Sequence, residues 1–271
     1  MIPDPVRAGV ERATGSRWAR LVARAGYPVS GTLHLLVAYI IVRIALGSGG
    51  DADQSGALET IAETRWGTLA LYAVAFGLFA LALWRIAESL IGLHPYESGN
   101  DPDDARIVNR LKALGLSAVY TMVAATALRF ALGSRTTSGQ TNAGISARLM
   151  QSDGGKAVLI AVGVVTIVIG GYYAFKGATR RFLDDLVVDG GPAIVALAVC
   201  GYVAEGLVLL MAGGLVIVAS VDADPTKARG IDAAVKALGS GPYGTALLLL
   251  AGAGFASYGV YSFALTRYSR M

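Results

Sequence analysis

The sequence predicts an all-α integral membrane protein: six transmembrane helices form three parallel-repeat helical hairpins around a pseudo-threefold axis, with short amphipathic helices on the surface. Three observations carry this prediction. Of 271 residues, 54% are hydrophobic and only 15% charged, and the mean hydropathy is +0.56, values foreign to a soluble chain of this size. Six apolar runs of roughly 18 to 28 residues are each long enough to cross a hydrocarbon core of about 30 Å as a helix. Finally, runs and flanking motifs recur three times along the chain. A large water-facing catalytic domain has no room.

The runs cover 29–46, 68–91, 114–132, 157–175, 192–219 and 244–265. None has the two-residue alternation of a barrel strand, so each must satisfy its own backbone as a helix. The segment before them carries five arginines and no small-residue cleavage site, and is expected to remain as a basic cytoplasmic stretch rather than a signal peptide. The expected organisation is 1–25 as that stretch, 26–92 as repeat one, 93–113 as a cytoplasmic connection, 114–186 as repeat two and 187–271 as repeat three.

Repetition shows at the openings Gly26-Tyr27, Gly115-Leu116 and Gly201-Tyr202, stepped by 89 and 86 residues, each introducing one helical hairpin. It shows again at the exits Arg43-Ile-Ala-Leu-Gly47 and Arg129-Phe-Ala-Leu-Gly133. The outer connections at 57–64, 144–150 and 230–238 have the pattern of short surface helices. Stretches 18–24 and 107–112 read as amphipathic helices running into the odd spans, while the apolar 194–199 is either buried against the bundle or part of a long helix. Fourteen Lys and Arg fall on one side and seven on the other, which places both termini in the cytoplasm of a plasma-membrane protein. The repeats start on the same side, so they are parallel rather than inverted. Small-residue faces at Ala73-xxx-Gly77, Thr166-xxx-Gly170-xxx-Ala174 and Gly252-xxx-Ala256 read as packing seams.

The triplicated two-helix unit, the Gly-Tyr openings and the Arg-x-Ala-Leu-Gly exits resemble the actinobacterial integral membrane proteins grouped as domain of unknown function 1206. The likeness covers roughly residues 20 to 270. It implies a six-helix membrane protein and brings no activity or catalytic residue with it. Unit three departs from the pattern: the exit arginine is missing, and Glu205 appears.

Few residues can carry chemistry. Glu205 lies near the middle of the fifth run, where a carboxylate must be protonated or paired. It is either an ion or proton site or a residue reaching the cytoplasmic interface. Its counterparts in the other units are taken as Ser30 and Val119, which excludes a threefold acidic ring. His34 is the titratable side chain expected at similar depth. Arg43 and Arg129 either offset helix dipoles while snorkelling to the outer headgroups, or face inward as anion-binding forks. His94, the second histidine, lies in a loop at another depth, which disfavours a bis-histidine haem. Asp51, Asp53, Asp222 and Asp224 could bind a divalent cation weakly, but caps are the expected use, as they are for Asp103 or Asp104. Cys200 stands alone, so neither an internal disulfide nor a CxxC pair exists. No nucleophile elbow, zinc-protease motif or phosphate loop occurs.

No cofactor, metal or catalytic residue is therefore expected, and the net charge of +4 reports membrane orientation rather than a nucleic-acid partner. The first functional expectation is a non-enzymatic scaffold or accessory subunit contacting lipid and another membrane complex. The alternative is a transporter or channel with a path between the repeats, using Glu205, His34, Arg43 and Arg129.

Overall fold

Because lipid offers no hydrogen bonds to the backbone, each apolar run closes its own, and the computed structural model is helical where those runs lie. It describes residues 17–91, 104–134, 136–186 and 191–268. The long helices are α1 (Arg17–Ala45), α3 (Gly67–Ile91), α4 (Asp104–Ala131), α6 (Asp153–Ala178), α7 (Pro192–Asp222) and α9 (Gly244–Tyr268). Short helices α2 (Gln54–Ala62), α5 (Ser138–Leu149) and α8 (Ile231–Gly239) fill the three connections expected to be outer and to hold surface helices. Five of the long helices are apolar enough over a sufficient length to cross a membrane; in α3 the apolar part is the shorter Gly67–Leu83. The amphipathic lead-ins are not separate elements. They are the first turns of α1 and α4, so the expected boundaries at 25/26 and 113/114 fall inside helices, and 194–199 belongs to the 31-residue α7.

The helices of one repeat are not each other's main partners. α3 packs along α4, α6 along α7, and α9 closes back onto α1, so each even helix lies against the odd helix of the next repeat. Small residues spaced by seven make these seams. In the α6–α7 pair, Gly163, Gly170 and Gly177 face Gly213, Gly206 and Tyr202, and a Cβ at Gly206 would stand 2.6 Å from the Gly170 carbonyl oxygen. At the same place in the α9–α1 pair, a Cβ at Gly31 would stand 2.8 Å from the Gly259 carbonyl. In the α3–α4 pair, the Ser117 hydroxyl donates to the Ala82 carbonyl at 3.0 Å. Gly31, Ser117 and Gly206 are therefore equivalent, with steps of 86 and then 89 residues. This corrects the register read from the openings: Leu116, not Val119, corresponds to Glu205. The openings misled because Gly115 has no neighbour that demands a glycine.

Of the three expected seams, those at Gly170 and Gly252 are used within the chain, whereas nothing lies within 4 Å of a Cβ at Gly77. The ring of pairs is uneven. α7 and α9 of unit three pack extensively, α1 and α3 touch much less, and α4 and α6 make almost no contact among the described residues. The polar site consequently forms on the α1–α7–α9 side.

Candidate functional site, a buried histidine–glutamate pair

The repeated exit motif is first of all a helix stop. Gly47 and Gly133 adopt φ of 83° and 88°. Around them, Gly47 N–H bonds the Ile44 carbonyl and Ser48 N–H the Arg43 carbonyl, at 3.0 and 2.8 Å. Gly133 and Ser134 repeat the pair with Phe130 and Arg129 at 3.0 and 2.9 Å. This is the Schellman cap, and glycine is its essential letter because only glycine enters the left-handed region without a Cβ clash. Unit three makes a similar turn with Ala223 at φ 53°. The arginine side chains of the motif are exposed, and the Arg43 guanidinium lies 5.8 Å from the centre of the Tyr39 ring. Neither arginine is near the other two candidate residues.

His34 and Glu205, in contrast, are brought together. His34 Nε2 lies 3.5 Å from Glu205 Oε1, with side-chain exposures of 11% and 17%. Glu205 stands 13 residues into α7, about 20 Å along it at 1.5 Å per residue. Its carboxylate turns toward His34 of α1 rather than along α7 to the helix start. On the other side of the imidazole, Nδ1 is 2.7 Å from the Ser30 carbonyl oxygen. A carbonyl only accepts, so Nδ1 carries a hydrogen, and in neutral His34 the nitrogen facing Glu205 would be bare. A hydrogen bond across the Nε2–Oε1 contact therefore takes one more proton, held either by an imidazolium or by the carboxylic acid. Glu205 Oε2 is buried with no hydrogen-bond partner among the described residues. Phe255 and Tyr258 of α9 wall the imidazole, with ring centres 6.1 and 4.7 Å away.

A cavity of about 20 Å³ adjoins the pair, lined by His34, Glu205, Asp53, Gln54, Ile231 and Phe255 among others, and is large enough for a water molecule. Asp53, Gln54 and Ile231 come from the connections expected to be outer, so the cavity lies on that side of the pair.

That outer side is tied together by charges. Asp53 caps α2, accepting from Ser55 N–H and Gly56 N–H at 2.8 and 3.0 Å. Burial raises its pKa above the usual carboxylate value against those bonds. Fully buried Asp232 of α8 accepts from Ala52 N–H at 3.1 Å and pairs with Lys236 at 2.8 Å. Lys236 also reaches Asp51 at 3.0 Å, and Ser138 N–H donates to the Ser55 hydroxyl at 2.8 Å. All three connections are thereby joined. Asp224 caps the 3₁₀ turn Pro225–Ala228 and Asp222 pairs with Lys227, so all four acids weighed for a cation are used in ion pairs or caps. His94 and Asp103 lie outside the described residues.

Sequence reasoning missed Ser30, Asp232, Lys236 and the tyrosines beside the pair. Asp232 and Lys236, four apart on an amphipathic helix, were a legible signal. Their cross-connection to Asp51 was not.

A family model described as Domain of Unknown Function (DUF1206) matches residues 25–92, 111–180 and 200–269, three tandem repeats in the register that the glycine seams define. The chain is also similar to "Uncharacterized protein YxxB" of Bacillus subtilis (strain 168), 26% identical over 259 residues covering 94% of this chain and 92% of that protein. No solved structure matches the chain.

Proposed function

We propose a function from the site itself, because this chain belongs to the Domain of Unknown Function (DUF1206) family, whose description carries no activity. The protein is a six-span plasma-membrane protein with both termini in the cytoplasm and its three repeats around a pseudo-threefold axis. Its working element is the His34–Glu205 pair, which takes up and releases a proton reached from the outer side and serves a path for an ion or small solute. One observation carries this reading: with Nδ1–H committed to Ser30, the contact of the pair depends on an extra proton. Buried ionisable side chains in membrane helices are costly, and they are retained mainly where they bind or move something. Arg43 and Arg129 are outer interfacial anchors in this reading and not part of the path.

Infrared titration of the purified protein in lipid nanodiscs tests it. On acidification the wild type should show a protonated-carboxyl component that Glu205→Gln lacks, above the bands of the other acids. If the variant gives the wild-type difference spectrum, the pair is not the proton site.

A second reading, a non-enzymatic accessory subunit, is favoured by the Ala73–Gly77 face of α3. That face is a small-residue seam with no helix on it among the described residues, flanked by exposed Phe76 and Tyr72. Co-purification in mild detergent should recover a membrane partner that Gly77→Leu loses.

A further inference from the structure

The two sides of the His34–Glu205 pair differ. Outward lies the cavity at Asp53 and Gln54. Inward, toward the cytoplasmic end, aromatic rings fill the space between α1, α6, α7 and α9. One turn below Glu205, the Tyr202 ring is 5.2 Å from Tyr258, 5.9 Å from Tyr261 and 5.6 Å from Tyr173. Tyr258 also touches His34. Phe182, fully buried in the 3₁₀ turn Arg181–Asp185, stacks on Tyr202 at 5.6 Å and meets Tyr261 edge-on at 5.8 Å. Beyond these rings, Lys176 Nζ lies 5.5 Å from the centre of the Tyr202 ring and pairs with Asp185.

A hydrated metal cation cannot cross such a layer, but a proton can. A phenol hydroxyl accepts a proton on a lone pair while giving up its own, and so ends neutral. Packing alone would be served as well by phenylalanine, without the desolvation of buried hydroxyls. Tyr261 makes the point sharpest: it has no solvent exposure, and its hydroxyl is directed to Tyr202. Glu205 Oε2 is a further buried polar atom at this row of rings, with no hydrogen-bond partner among the described residues.

Resting on the proton-site reading above, we propose that Tyr258, Tyr202 and Tyr261 relay protons between the His34–Glu205 pair and the Lys176–Asp185 pair at the cytoplasmic end. The Glu205 O–H bond breaks as its proton passes to the first hydroxyl. Each hydroxyl hands its own proton onward, and the Asp185 carboxylate receives the last. Glu205 is left as a carboxylate and is reloaded from the outer cavity. Tyr27 of α1 and Tyr173 of α6 flank this line, and His34 is the titratable group facing it from α1.

The test uses proteoliposomes of the full chain with a pH-sensitive dye inside and an imposed pH gradient, with valinomycin and K⁺ to clamp the voltage. Wild type should pass protons and no ²²Na⁺, Glu205→Gln should pass neither, and Tyr202→Phe and Tyr261→Phe should each lower proton flux at least tenfold. Both changes keep the ring and hence the packing, and the Glu205 infrared band should persist in them. Tyr243→Phe, exposed just before α9, should match wild type. Full-rate flux in both tyrosine variants, or ²²Na⁺ flux keeping pace with protons, overturns the relay but leaves the proton site standing. A titrating Glu205 band in a wild type that passes no protons has the same meaning. Absence of that band in wild type overturns the site and the relay together.

Discussion

Gly206→Ala is the sharpest probe of how the repeats are joined. The added methyl would stand 2.5 Å from Ala174 N and 2.6 Å from the Gly170 carbonyl oxygen, both backbone atoms that no side-chain rotation can move. Ordinary van der Waals contact begins near 3.4 Å, so α6 and α7 must part by about 0.8 Å, a gap that forfeits between about a quarter and a half of each dispersion contact along the seam. Overpacking of this kind costs about 1–3 kcal/mol. A loss of about 2 kcal/mol lowers the folded-to-unfolded ratio roughly 30-fold. Gly77→Ala is the matched control, since its methyl meets nothing within 4 Å. The assay is retention of the monodisperse chromatographic peak after heating in detergent, checked by reversible unfolding in mixed micelles. Gly206→Ala should lose its peak well below wild type, and Gly77→Ala should not. Equal melting of Gly206→Ala and wild type, or equal damage from Gly77→Ala, would refute the close-packed seam.

Three other expectations concern topology, the arginines and the outer latch. Reporter fusions after Gly47, Gly133 and Ser220 should read outside and fusions after Gly92, Asp189 and Met271 inside; an external reading after Met271 would end the six-span arrangement. Arg43→Lys and Arg129→Lys should leave expression and thermal stability nearly unchanged, because charge and reach survive. If both changes abolish binding of an anionic lipid that wild type retains, a shaped guanidinium site exists instead. Asp232→Ala strands the buried Ala52 N–H and should cost about 1–3 kcal/mol, with Asp232→Asn recovering most of it; identical melting of the two variants would discount that hydrogen bond. Burial pushes the Asp51 carboxyl up, but bonds from Lys236 and Thr137 and the charges of Lys236 and Arg229 outweigh this and hold it below the usual range. A depressed folded pKa gives stability that is complete above the unfolded value of about 3.9 and is lost as pH falls through the folded value. Hydrogen-exchange protection factors in α8 should therefore fall on acidification below about pH 4, and Asp51→Asn should flatten that dependence.

The long helices were legible because each satisfies its backbone locally, and apolar runs with basic flanks record where they lie. The exits were legible for the same reason: Gly47 and Gly133 end helices through bonds that span only five residues. Register was harder. Gly115 looks like an opening in the sequence, yet the residue that matters is Ser117, because equivalence is set by which small side chain meets the carbonyl of a facing helix. The sequence also singled out His34 and Glu205 and counted the remaining titratable groups. It contained no sign that α9 returns to α1 and so brings residue 34 within reach of residue 205, nor that the Ser30 carbonyl dictates which imidazole nitrogen holds the hydrogen. Arg43 and Arg129 show the same limit from the opposite direction. Their repeated motif marked them as a pair, whereas the packing leaves both exposed at separate helix ends. Local hydrogen bonding and hydropathy act within a few residues and can be read along the chain; a site built from three helices depends on contacts between distant segments, which only the folded arrangement fixes.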